Sequence, residues 1–306
     1  MRPRALIALA AFAAACSHEP ASQAANTASV DPHSGHVMEM SGAAVADPMS
    51  TAQGTAGIPA GAADAAARLA ASPRHGEWVK VAWQPGSADS LMAWIVYPES
   101  KKNAPVVVVI HEIFGLSTWV RGVADQLAAD GFIAIAPDLL SRVRGGPSAD
   151  ELPSDSARKL IQGVNVAEMN RGVAAVANYG MALPAASKKY GVVGYCWGGS
   201  ATFNHAVFNQ KGLGAAVVYY GTSAARDSMP KIQAPVLGLY GGNDARVNAT
   251  IGWADSTMKS LGKRYTFSIF EGAGHGFLRA QDQPLNLEAA KKAWPQTLAF
   301  FRDNLK

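Results

Sequence analysis

The sequence predicts an α/β fold: a doubly wound, mostly parallel sheet with helices on both faces. Short apolar runs alternate with segments of helical spacing from about residue 77 to the end, the order that right-handed strand–helix–strand crossovers require. The runs are apolar throughout, Val106-Val107-Val108-Val109-Ile110 being the clearest, and a strand buried on both faces belongs in a parallel sheet. The run that starts at Lys189 breaks at Gly194, passes Cys196 and resumes as a helix-compatible segment, with Gly194 and Gly198 two residues to either side of the cysteine. That is a strand, a sharp turn and a helix, with the glycine spacing of a nucleophile elbow and a cysteine at its tip.

In chain order, residues 1–15 read as a signal peptide. Met1-Arg2-Pro3-Arg4 is a basic start, Ala5 to Ala15 is apolar, and small residues end on Cys16. The stretch is shorter than the roughly 20 apolar residues of a membrane span. Its end resembles a bacterial lipobox with Ala13 in place of the usual leucine, which makes Cys16 a candidate for lipidation; plain cleavage near Ala15 is the alternative. Either reading places an exported bacterial protein in the periplasm or on the outer membrane, touching lipid only through an N-terminal anchor.

Residues 16–74 are rich in Ala, Gly, Ser and Pro and lack a sustained apolar period, so they are expected to be a disordered tether. His33, His36, Met38, Met40 and Met49 within it suit a soft metal, but a polar linker with incidental His and Met is the favoured reading. The folded domain is expected over 75–306.

It opens with a hairpin, Glu77 to Gln84 and Leu91 to Tyr97, joined by Pro85-Gly86-Ser87-Ala88-Asp89. Strands follow at Pro105 to His111 and Phe132 to Ala136, with a helix over Thr118 to Ala129 between them. A loop from Ser141 to Ser154 precedes one long helix from about Asp155 to Ala182. After the elbow come strands at Gly214 to Tyr220, Pro235 to Tyr240 and Tyr265 to Phe270. Helices are expected at about Asn248 to Leu261 and Asn286 to Asn304.

The 306 residues, 49% of them hydrophobic, suffice for a sizeable core. A net charge of +4, scattered without a Lys/Arg cluster, argues against a nucleic-acid partner. With Cys16 removed or acylated, Cys196 is the one remaining thiol, so an intramolecular disulfide is excluded where export would permit one. A monomer is expected, with no cofactor and no metal.

In doubly wound sheets the reactive groups gather where strands end. Asp244 follows the strand Pro235 to Tyr240, and His275 follows Tyr265 to Phe270 within a glycine-rich loop. The order Cys196, Asp244, His275 is that of nucleophile, acid and base on successive strand ends. A thiol needs an imidazole to take its proton, and a carboxylate to hold that imidazole in one tautomer. Asp255 falls within a helix and Glu271 on a strand, so neither competes with Asp244. After the buried valine strand, His111-Glu112-Ile113-Phe114-Gly115 supplies Glu112 at the same edge; a loop salt bridge, for example with Arg121, is its alternative role. The N–H groups of Ile113 and Trp197 are the candidate oxyanion donors. A buried structural cysteine in an ordinary strand–helix turn is the competing reading of Cys196.

Together Gly194-Tyr195-Cys196-Trp197-Gly198-Gly199, His111-Glu112-Ile113-Phe114-Gly115, Gly242-Asn243-Asp244 and Gly274-His275-Gly276-Phe277 resemble the dienelactone hydrolase family, from about residue 77 to the end. The resemblance implies an α/β-hydrolase sheet with a Cys-Asp-His triad on Cys196, Asp244 and His275. It implies that Glu112 sits beside the resting thiol and helps to generate the thiolate when substrate binds. It also implies that Arg279, four residues after the histidine, holds a substrate carboxylate, and it leaves a second arginine for which Arg158 is a candidate. The exported N-terminus and Trp197 depart from the family pattern and leave the substrate open.

The expected function is hydrolysis of an ester or lactone, neutral or anionic, through an acyl-enzyme on Cys196. A catalytically silent binding protein with this fold and a thiol redox sensor are the alternatives.

Overall fold

The computed structural model describes residues 54–99, 103–146 and 152–306. Strands β1 (Gly76–Ala82) and β2 (Ser90–Val96) form the expected antiparallel hairpin. They are followed by β3 (Ala104–Ile110), β4 (Ile133–Asp138), β5 (Ala186–Tyr195), β6 (Leu213–Tyr219), β7 (Val236–Asn243) and β8 (Tyr265–Gly274). The strand order is β1-β2-β4-β3-β5-β6-β7-β8. β2 runs antiparallel to β4, and every neighbouring pair from β4 across to β8 is parallel.

The continuous apolar run of β3 is used on both faces. Val107 and Val109 join a core formed with α2 (Thr118–Ala129) and α9 (Pro284–Asn304). Val106, Val108 and Ile110 join the core on the other face with α5 (Val166–Ala182), α6 (Trp197–Phe208) and α8 (Ile251–Ser260). All five residues are fully buried, and each contributes about 1.5–3 kcal/mol of burial. The parallel strands thereby end together along one edge, where β3, β5, β7 and β8 deliver the candidate residues.

Three expectations need correction. The stretch before residue 75 is not wholly a tether: from Gly54 onward it is ordered, with a short helix α1 (Ala65–Ala70) and with Ile58, Ala60 and Ala65 buried. Small side chains let its backbone lie close against α2, and polar contacts fix it, including Arg74 with Asp125 at 2.6 Å. The long helix is two: α4 (Ser154–Gln162) ends with Gly163 as its C-cap, and α5 starts afresh at Asn165, whose side chain accepts the Glu168 N–H at 2.8 Å as an N-cap. The loop after β4 begins with a helical turn, α3 (Ser141–Arg144). The expected signal peptide, the rest of the expected tether, Cys16 and the His/Met tract lie outside the described residues. Among the described residues, no helix is long and apolar enough to cross a membrane.

Candidate active site

Cys196 stands between β5 and α6 with φ 57° and ψ −115°, a backbone conformation that L-residues avoid and that persists only when its surroundings enforce it. The enforcement is visible on both sides. A Cβ on Gly194 would lie 2.1 Å from the Gly198 carbonyl oxygen, and one on Gly198 would lie 2.4 Å from the carbonyl oxygens of Ile110 and His111. The turn therefore closes only with glycine at both places, and the end of β3 presses directly on it. The Cys196 N–H donates to the Tyr219 carbonyl at 3.2 Å, tying the turn to β6.

Asp244 follows β7 and caps a helical turn, α7 (Ala245–Asn248), where its Oδ1 accepts the Val247 N–H at 3.4 Å. The Asn248 amide donates to the Gly241 carbonyl at 2.9 Å and closes that turn. His275 follows β8, whose last N–H, on Gly274, donates to Asn286 Oδ1 at 2.9 Å. The structure brings the two candidate residues together: His275 Nδ1 lies 2.5 Å from Asp244 Oδ2. With Nδ1–H donating to the carboxylate, Nε2 is left as the basic nitrogen.

Glu112 is buried, and its Oε1 lies 2.8 Å from Arg279 Nε. The backbone beneath it is fixed by His111. The His111 Nδ1–H donates to the Glu112 carbonyl at 2.8 Å, and its Nε2 accepts the Leu139 N–H at 3.3 Å. Burial keeps that imidazole neutral by lowering its pKa. The ring stacks on Trp197 at 5.6 Å between centroids, so the early loop and the first residue of α6 are in contact. Arg279 reaches Glu112 because Gly276 starts a tight turn, its carbonyl accepting the Arg279 N–H at 2.8 Å, and the guanidinium also covers Phe114 at 5.0 Å.

The thiol pKa is raised to about 11, chiefly by burial, with the charges of Glu112 and Asp244 adding to it; the Trp197 N–H and Arg246 act in the opposite sense. Near neutral pH the sulfur is protonated. Among the described residues no group of three or more His, Cys, Asp and Glu side chains is arranged to hold a metal. A cavity of about 730 Å³ beside Ser141, Arg142, Gly146 and Glu168 contains none of the candidate residues. Arg158 is exposed on α4 and pairs with none of them.

Two neighbours of the site were not singled out from sequence. Tyr220, at φ 38°, is buried with its ring 5.2 Å from that of His275. The signal available was a pair of tyrosines ending an apolar strand just before Gly221. Arg246, two residues past Asp244, is a cation whose charge reaches the thiol.

A model of the dienelactone hydrolase family matches residues 91–305. The chain is 31% identical over 234 residues to a provisionally named carboxymethylenebutenolidase of Salmonella typhimurium, covering 71% of this chain and 84% of that one. A protein of Methylorubrum extorquens with the same provisional name is 30% identical over 238 residues, covering 73% of this chain and 79% of the relative. Among solved structures, one provisionally called a dienelactone hydrolase, from Klebsiella pneumoniae, superposes with a TM-score of 0.65 at 26% identity, covering 74% of this chain and 99% of the other. The dienelactone hydrolase-like promiscuous phosphotriesterase P91 from metagenomic libraries shares the fold, with a TM-score of 0.63 at 23% identity over 76% of this chain and 99% of its own.

Proposed function

Because the chain belongs to the dienelactone hydrolase family of α/β-hydrolases, we propose that it hydrolyses a lactone or ester bond with Cys196 as nucleophile and an acyl-enzyme intermediate. The observation that carries this reading is the 2.5 Å contact between His275 Nδ1 and Asp244 Oδ2 on the same sheet edge as the strained Cys196 turn. A merely structural cysteine needs neither partner.

The thiol rests protonated, so a proton must leave before the sulfur can attack. A negatively charged group on the substrate competes with Glu112 for Arg279. Glu112, released, accepts the thiol proton, and the thiolate adds to the carbonyl carbon. The N–H groups of Trp197 and Ile113 hold the resulting oxyanion. The carbon–oxygen bond breaks as the leaving alkoxide takes the proton held by Glu112, relayed through His275 Nε2, which restores the Glu112 carboxylate and leaves a thioester. Water then gives a proton to His275 Nε2 while its oxygen adds to the thioester carbon. The thiolate leaves and regains the proton, releasing the acid. No redox step and no metal enters this sequence, and the partner is a small ester or lactone.

The test is hydrolysis of p-nitrophenyl acetate and of a small enol lactone by wild type and Cys196→Ala. A loss of at least a thousandfold in kcat/KM supports the reading. Equal rates would leave a fold that binds without turning over.

A further inference from the structure

Residues 58–62 form a strap between the turn that carries Arg279 and helix α2. The Ala62 N–H donates to the main-chain carbonyl of Arg279 at 2.8 Å. The Gln281 side-chain amide, two residues further on, donates to the Pro59 carbonyl at 2.8 Å and to the Leu278 carbonyl at 2.8 Å. On its other side the strap accepts the Trp119 indole N–H at the Ala60 carbonyl, 3.1 Å away. Trp119 lies in the first turn of α2, the helix into which the Glu112 loop runs. Further along, Arg68 donates to the Gln126 side chain at 2.5 Å and Ser72 to Asp125 at 2.6 Å, holding the same segment to the far end of α2.

The strap thus joins the turn that carries Arg279 to the first turn of α2, the helix that follows the Glu112 loop. It fits closely: a Cβ on Gly61 would stand 3.1 Å from Gln281 Cβ and 3.2 Å from the Arg279 carbonyl oxygen. Arg279 is held at its guanidinium by Glu112 and Phe114 and at its main chain by the strap, so a ligand that displaces Glu112 leaves the backbone contacts in place. A cation recognises an anion well only when its support is fixed in advance.

We propose that residues 58–62 are a positioning strap for Arg279: they fix its turn against α2 and so set the reach of its guanidinium toward a negative charge presented at Cys196. The inference rests on the reading of Arg279 as an anion-holding group and extends the working site into a segment that precedes the first strand.

The test uses the ratio of Cys196 alkylation rates by iodoacetate and iodoacetamide in the full-length protein, with the label located by peptide mass spectrometry. The reagents differ in charge, so the ratio removes effects of thiol pKa and access and needs no turnover. Gly61→Ala, which wedges the strap, and Gln281→Leu, which deletes one donor, should each lower the ratio roughly three- to tenfold, the scale of one partly exposed charge contact. Arg279→Ala should lower it at least as far, and adding Gly61→Ala to Arg279→Ala should have no further effect, since both act through one group. An unchanged ratio in both strap variants, an additive double variant, or an Arg279→Ala ratio equal to wild type would each overturn the proposal. None of these outcomes bears on whether Cys196→Ala abolishes ester hydrolysis, so failure here and failure of the hydrolase reading are distinguishable.

Discussion

Arg279 Nε reaches across from the turn after β8 to within 2.8 Å of Glu112 Oε1, and the carboxylate end of that pair is the more deeply buried, at 5% side-chain exposure against 25%. Truncating the arginine therefore leaves a buried negative charge, which is the costly way to break an ion pair. Discounted for the partial exposure of Arg279, Arg279→Ala should cost about 1–2 kcal/mol, a fall in Tm of several degrees for a chain of this size. It should also raise KM for carboxylate-bearing esters while sparing neutral ones. Equal effects on both substrate classes in steady-state assays would reduce Arg279 to a structural residue.

Gly194 tests the elbow itself. A methyl group there would overlap the Gly198 carbonyl, so the strand and helix would have to part. Gly194→Ala is expected to lose more than about 3 kcal/mol or to prevent accumulation of soluble protein. A urea midpoint equal to wild type would show that the turn is not held as described.

How much was legible in advance follows from the range over which each feature is encoded. The elbow is local: glycine, cysteine and glycine at fixed spacing after an apolar run determine the backbone of the turn. Asp244 and His275 were legible because each directly follows a strand of a parallel sheet, where topology alone brings side chains together. The division between α4 and α5 was also written locally, in Asn165 and Glu168 three residues later, but unbroken apolar spacing obscured it. The strap was not legible. Its composition is that of a linker, and it is held through carbonyls that accept from Trp119 and Gln281, 59 and 222 residues away from their partners. Those donors have no local sequence signature. The Glu112–Arg279 pair was half legible, since both residues were singled out but as separate elements of the site.

His205 predicts an acid limit. Its Nε2 accepts the Tyr190 hydroxyl at 2.8 Å and its Nδ1–H donates to Asn170 Oδ1 at 3.1 Å, which pins α6 to β5 and α5. Burial lowers its pKa to about 3, while the unfolded chain binds that proton near pH 6.5. The neutral ring's contribution is therefore complete above the unfolded value and is lost as pH falls from about 6.5 toward 3, with a slope of up to about 1.4 kcal/mol per pH unit. His205→Gln should remove that much slope from urea-derived stability between about pH 4 and 6. An unaltered slope would mean that His205 takes up its proton in the fold.

In the proposed mechanism Glu112 governs how the thiol is kept and released. The raised pKa of Cys196, about 11, comes first from burial and only then from the Glu112 and Asp244 charges. This ranking bounds the effect of removing one charge. Glu112→Gln should lower the thiol pKa, since a neighbouring negative charge disfavours the thiolate, yet leave it above the ordinary value because burial persists. Iodoacetamide alkylation of Cys196 near pH 8 should then quicken severalfold, with its pH profile displaced to lower pH. Peroxide inactivation should quicken in parallel, since oxidation follows thiolate character. Turnover of esters should fall at the same time, because the variant can no longer accept the thiol proton. That opposition, a more reactive resting thiol in a slower enzyme, separates a switching role from a structural one. A loop anchor would slow turnover with no displacement of the alkylation profile, and that result would remove Glu112 from the chemistry while leaving the other three residues in place.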